Sequence, residues 1–296
     1  MVVRLQVDPT RIRNLDACTV AARVEAMTRS GREAARALAP EAMLRKATLA
    51  ESSVLRAKYA RRGLTHPGGV DRTTRSMLLR QLYLAHMEAR RFQEALEVAE
   101  QMVGLEIMPD VARQDAARAC LGLRELGRAV EHLRLASRVS PPCRRAFHLW
   151  TLGSLLYLVG RPREAVVPLS RAVRWATTEK PLYQAQLALA RRAAGESFED
   201  VQTLRERLRE APCGQGYGQF VLGELAAYAC DAAAARDHLR RFIARATGGR
   251  VALAVALEAE TERARALLAE LGSSGDETER PGSAYPIACD PRRTKD

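Results

Sequence analysis

Aromatic residues are scarce, at 5% of the 296 residues, although 47% of the chain is apolar. The core must therefore be filled mainly by Leu, Ala and Val. Leu and Ala are good helix formers and suit closely packed helices. No stretch alternates β-branched with polar residues, so strands are not expected and the chain reads as all-α. No window of 18 apolar residues exists, so no transmembrane helix is expected. The first residues, MVVRLQVDPTRIRNLD, lack the apolar core of a signal peptide, and a cytoplasmic protein is expected. Six Cys are scattered (Cys18, Cys120, Cys143, Cys213, Cys230 and Cys289) with no C-x-x-C pair, which argues for reduced thiols and against a zinc ribbon.

Catalytic signatures are missing too. None of His66, His86, His132, His148 or His238 stands four residues from another with the Glu that a helical zinc protease needs. The run CGQGYGQFVLG has Gln219 where a dinucleotide fingerprint requires its third Gly, and a helical pattern rather than a strand precedes it. It reads as a turn. No Walker-type Lys follows a Gly-rich stretch. Catalytic residues, metal and cofactors are therefore all expected to be absent, and the chain is read as a non-enzyme.

Lys is rare as well: only Lys46, Lys58, Lys180 and Lys295. The net charge of +12 comes from Arg, and it is uneven. Residues 1–69 hold 13 basic and 6 acidic side chains, whereas residues from 248 onward hold 7 and 9. A basic N-terminal third is an electrostatic candidate for nucleic acid or an anionic surface. The plainer reading is a composition in which Arg solvates helix faces.

What is present is a period. Ala95, Ala129, Ala165 and Ala235 open similar phrases, and Asp200 stands where a fifth member is expected. The spacings are 34, 36, 35 and 35. Such a period marks a solenoid of stacked helix pairs, because one pair cannot bury its apolar face alone. The pairs run from Ser76 to Pro109, Asp110 to Cys143, Ala146 to Glu179 and Pro181 to Gly214. A fifth starts at Gly216, and a shortened sixth is VALAVALEAETERARALLAELG. Pro and Gly punctuate the joints at residues 108–110, 140–142, 180–181, 211–214 and 247–249.

The phrase LWTLGSLLYLVGRPREAVVPLSRAV resembles a tetratricopeptide repeat. Leu152, Gly153, Leu156, Gly160, Ala165, Leu169 and Ala172 fit its register, with Trp150 one place late. Leu222, Gly223, Ala235 and Leu239 fit again, as do Ala129, Leu133, Ala136 and Pro141, and Pro212 ends the fourth unit. Asp200 and the Phe92/Ala99 unit depart from the pattern. The resemblance covers residues 76–271 and implies a right-handed α-solenoid of about five to six helix hairpins. The rest divides into an irregular helical region, 1–75, and a polar tail, 272–296, expected to be disordered. Within the former, NLDACTVAARVEAMTRSGREAARALA reads as two helices and MLRKATLAESSVLRAKYARRG as one long helix, with LTHPGGVD as a loop.

The resemblance also implies a concave face lined by the first helix of each pair. The matching positions are Arg80, Gln81, Gln114, Arg118, Trp150, Ser154, Tyr157, Gln186, Arg192, Tyr217, Phe220, Glu224 and Tyr228. Rings with a polar edge, together with Arg, suit a binding hot spot. For Trp150 and Phe220 the alternative is a place in the core. The Lys/Asn set with which some relatives hold a C-terminal carboxylate is missing, so an extended or helical protein segment is the expected partner. The expectation is thus a scaffold or adaptor. Its rivals are nucleic-acid binding through the N-terminal region and a regulatory or chaperone subunit of a larger signalling or secretion assembly. Oligomerisation through the N-terminal helices stays open.

Overall fold

A computed structural model describes residues 39–196, 200–249 and 251–273. Among them are fourteen α-helices and no strand. They form two compact units, residues 1–81 and 82–296.

In the first unit α1 (Pro40–Thr48) and α2 (Ser53–Leu64) pack as a pair, joined by the N-terminal part of α3 (Arg72–Glu88). The segment expected to be one long helix is therefore two. Leu49 ends the first, and the Ser52 hydroxyl caps the second by accepting from the Leu55 amide. An N-cap serine competes with helix continuation because its side chain satisfies an amide that has no carbonyl partner. Gly63 lets Leu78 and Met43 close over α2: a Cβ there would stand 2.8 Å from Leu78 and 3.1 Å from Met43. The two helices read into NLDACTVAARVEAMTRSGREAARALA fall almost wholly outside the described residues, as does the tail beyond 273.

The second unit is a run of consecutive pairs. After α3 come α4 (Phe92–Leu105), α5 (Pro109–Gly122), α6 (Leu126–Val139), α7 (Pro142–Leu158) and α8 (Pro162–Trp175). Then follow α9 (Lys180–Ala193), α10 (Val201–Glu210), α11 (Tyr217–Tyr228), α12 (Ala232–Thr247), α13 (Val251–Ala256) and α14 (Glu258–Ser273). From α4 to α12 each helix packs on the next, and first helices also touch one another, α7 on α9 and α9 on α11. Proline sits in the first turn of α5, α7, α8 and α9, where its missing N–H removes no helix bond.

The period has a backbone cause. Within five successive pairs the turn carries one residue of positive φ: Arg90 (54°), Arg124 (60°), Gly160 (74°), Gly195 (84°) and Cys230 (60°). In each, the following amide donates to a carbonyl five residues back: Arg91 to His86, Glu125 to Cys120, Arg161 to Leu156, Glu196 to Arg191, Asp231 to Ala226. These turns recur at the spacing of the alanines, and each helix end is closed in the same way.

Four of the alanines then stand on the first turn of a second helix, fully buried. In α7 and α8 a Cβ on Gly153 would run into Leu169 and approach the Ala165 carbonyl; in α11 and α12 one on Gly223 would run into Leu239. Small residues here let paired helices cross closely, with one large side chain filling the crossing.

Asp200 does not belong with the alanines. It is the N-cap of α10 and accepts from the amides of Gln202 and Thr203. In the other pairs the alanine follows its N-cap by four residues; in the fourth that place falls to Leu204. The second helix there starts late and is only 10 residues long. A cavity of about 290 Å³ remains between α8, α9 and α10, beside Ser170, Leu187 and Leu204.

Candidate functional site

The first helices bring several expected residues to one place. Gln114 and Arg118 from α5, Trp150 and Ser154 from α7, and Tyr217 from α11 line one cavity of about 710 Å³. Its other wall is α13 and α14, the sixth pair of the sequence reading. α13 has only six residues and none is buried. The chain breaks at Leu257, and α14 turns back to pack on α12, α11 and α7. The cavity is thus roofed by the chain's own C-terminal helices.

Three sets of contacts hold that roof. Arg90 donates two hydrogen bonds to the Glu258 carboxylate, at 3.1 and 3.0 Å. Arg263 reaches Glu224 at 3.3 Å. Arg236 donates to the Leu271 carbonyl, closing the C-terminal end of α14. Ala264 and Leu267 are the apolar anchors of α14, both buried.

The aromatic walls are ordered by their ring geometry. Trp150 stacks on Tyr183 at 5.5 Å and 20°, and meets Tyr217 edge-on at 4.8 Å and 83°. Phe147 lies 5.8 Å from Trp150, and Tyr217 is 6.2 Å from Phe242. Offset and edge-on pairs are the favourable arrangements of ring quadrupoles.

Two carboxyl groups act on Tyr217, Glu260 from the cavity lining and Glu224 from beneath α14. Burial pushes the Glu224 carboxyl up to about 7, against the pull of Arg263 and of the Tyr157 hydroxyl. Burial likewise pushes Glu260 up to about 7, although Arg118 and the Tyr217 hydroxyl act in the opposite sense. Glu224 has Arg263 as its ion-pair partner. Glu260 has no ion-pair partner among the described residues and keeps surface toward the cavity it lines. Burial also raises Tyr217.

The remaining expected residues lie elsewhere. Phe220 is fully buried between Tyr217 and Phe242, in the core rather than in a groove. Gln186 is fully buried on α9, with both amide atoms lacking a partner. Glu224 is buried under α14, beside the half-buried Tyr157. Arg192 is exposed and holds its guanidinium 5.1 Å over the Tyr228 ring, a cation–π pair outside the cavity lining. Arg80 and Gln81 are half-buried on the part of α3 that belongs to the first unit. Arg11 and Arg13 fall outside the described residues.

Sequence reasoning missed the whole C-terminal side of the cavity: Glu258, Glu260 and Glu262 from the roof, and Phe242 and Arg245 from α12. One signal was there. Three acids at every second position, following an apolar run too short for a full helix, do not fit the repeat pattern.

A second polar cluster joins the second and third pairs. Asp110, in the first turn of α5, accepts from Arg144 at 2.7 and 3.0 Å and from the buried His148 at 3.0 Å. Arg144 stands 34 residues after Asp110, one repeat on. Burial alone would raise Asp110, but the hydrogen bonds from Arg144 and His148 outweigh it and hold the carboxyl below its usual range. Burial lowers His148, so its neutral form donates to Asp110. His148 is a strut between pairs.

Cys120, Cys143 and Cys213 carry free thiols, whereas Cys230 is disulfide-bonded, against the expectation of reduced thiols throughout. Among the described residues no group of three or more His, Cys, Asp or Glu could hold a metal ion. No helix there is long and apolar enough to cross a membrane. Comparison of the sequence with protein-family models and with curated proteins returns no match.

Proposed function

We propose that the chain is a tetratricopeptide-like α-solenoid that works as a non-catalytic scaffold or adaptor. Its partner is a helical or extended segment of another protein, bound on the face built by the first helices. The observation that carries this reading is α14: a helix of the chain itself, packed chiefly on α12, reaches that face at α11 and α7. The face thus has the shape and the polar-aromatic chemistry to seat a helix. Helix-in-groove recognition uses the same elements, apolar anchors spaced along one helix with charged pairs at the rim. α14 supplies them as Ala264 and Leu267, with the Arg263–Glu224 and Arg90–Glu258 pairs. A partner segment competes with α14 for this face.

The test begins with capture of a partner by the full chain and its identification by mass spectrometry. Calorimetry then measures the identified segment against variants. Arg118→Ala and Trp150→Ala should each lose about 2 kcal/mol or more of binding. Arg11→Ala/Arg13→Ala should bind like wild type. The reverse result, with the N-terminal variant losing both affinity and salt dependence, replaces the groove with an electrostatic contact.

A further inference from the structure

The cavity survives with α14 in place. A helix that merely closed the apolar face would fill the space beneath it, yet about 710 Å³ stays open under α13 and α14. That is the size of a small-molecule site, within the range of roughly 300–1,000 Å³ seen for ligand pockets. Its lining is mixed in the manner of such sites, apolar and aromatic walls with a few convergent polar groups.

The charges of the lining are unequal in availability. Arg90 is held by two hydrogen bonds to Glu258. Arg118 lies 4.0 Å from the buried Asp115 and is half-exposed. Arg124 and Arg245 are exposed. Glu262 is exposed too. Glu260 is a half-buried charge-bearing group with surface toward the cavity and no ion-pair partner among the described residues, its carboxyl drawn down only by the charge of Arg118 from α5 and by local hydrogen bonds. The Tyr217 ring lies beside it, edge-on to Trp150, with Phe147 lying 5.8 Å from the indole. A half-buried carboxylate next to aromatic rings is the arrangement that attracts an organic cation: the ammonium pairs with the carboxylate and its polarised C–H groups meet the rings.

We propose that the cavity between α5, α7 and the α13–α14 roof binds a small organic amine, with its ammonium at Glu260 and its apolar body against Trp150, Tyr217 and Phe147. An anionic ligand would face the Glu260 carboxylate and find the nearby half-exposed Arg118 already drawn to Asp115. A neutral ligand would leave Glu260 without an ion-pair partner. The amine resolves that unpaired acid and stabilises the closed roof, because Glu260 belongs to α14. This inference extends beyond protein capture, and it does not require that the first-helix face take a partner segment.

The test reads Trp150 directly. The chain has two Trp, and Trp175 is half-exposed under Arg145, away from the cavity lining. In a Trp175→Phe background the remaining emission reports the cavity. The probes are 2-phenylethylamine, 3-phenylpropionate and 2-phenylethanol, which share one apolar body and differ in charge. The amine should change Trp150 emission saturably, and the acid and the alcohol should bind at least about tenfold more weakly. Glu260→Gln, which keeps the shape and removes the charge, should lose about tenfold or more for the amine while its circular dichroism stays that of the parent. Glu262→Gln, at the exposed rim, should bind the amine as the parent does. Equal binding of acid and amine, an unchanged titration in folded Glu260→Gln, or no saturable response to millimolar amine would each overturn the proposal.

Discussion

The third and sixth helix pairs end up differently. In the third, Gly153 and Ala165 let α7 and α8 cross at close range, and Leu169 fills the crossing. Both helices run for three turns or more, and the pair closes on itself. In the sixth, α13 is six residues long with none buried, and α14 packs on α12, α11 and α7 more than on its own partner. A pair that cannot close leaves a helix free to seek another surface. α14 lies against α12 and reaches the first helices α11 and α7. The contrast separates packing that maintains the repeat from packing that closes a site.

The sharpest way to break this contrast is to empty one anchor in each region. Leu169→Ala should lose about 2–5 kcal/mol of global stability, because it removes the side chain at a crossing with no room to collapse. Leu267→Ala, also fully enclosed, should instead release α14 locally. Amide exchange in residues 258–273 should speed up while α7 and α8 keep their protection. If Leu267→Ala unfolds the whole chain as Leu169→Ala does, the roof is as integral as the third pair and the contrast fails.

Filling tests the same crossing from the other side. Ala165→Leu should overpack it by about 1–3 kcal/mol, while Arg163→Ala, nearby and on the solvent side, should change little. Melting temperatures of the two variants decide this; equal shifts would place Ala165 outside the crossing.

The roof and the third pair should respond to pH in opposite senses, because His148, lowered by burial, makes the third pair lose stability as the pH falls. Glu224 and Glu260 have carboxyls raised to about 7 from an ordinary 4.5. In the interval between those values the folded state binds more protons than the unfolded state. Stability from these two groups is therefore full below about pH 4.5 and is lost as the pH rises through about 7. Exchange of α14 amides should accelerate from about pH 5 to about pH 8 beyond the intrinsic base catalysis, and Glu224→Gln/Glu260→Gln should flatten that excess. An excess that persists in the double variant points to other titrating groups.

The smallest effect lies in the turns. Arg124 holds φ of 60° where Gly160 and Gly195 serve at the equivalent place. Arg124→Gly should stabilise by about 1 kcal/mol or less, and Arg124→Val should destabilise, since a β-branched residue resists the left-handed region. Denaturant midpoints of the pair measure this; Val tolerated as well as Gly would mean the turn is not held in that conformation.

Much of the helical plan was legible in the residues. Alanines at 34 to 36 residues, with Pro and Gly between them, gave the helix pairs and their joints, because close crossings need small side chains and helix starts tolerate proline. Other features left no trace in residue type. The turn that enforces the period uses Arg90, Arg124 and Cys230 as readily as glycine, so the backbone repeats where the letters do not. Asp200 keeps the count of the repeat while serving as a cap, because a chain can hold its period and start a helix four residues late. Asp110, Arg144 and His148 meet only once two pairs have stacked.

The amino-acid sequence by itself determined that the chain is helical and where most helices begin and end, since those depend on neighbours three and four residues apart. Only the tertiary structure decided which face of those helices would be covered. Gln186 and Phe220 follow Trp150 at successive repeats, yet they are sealed in the interior while Trp150 lines a cavity. That outcome depends on α14 folding back across residues more than 100 positions earlier in the chain. No local pattern records it, because its energy comes from burying Ala264 and Leu267 and pairing Arg263 with Glu224, contacts that exist only after the pairs have stacked.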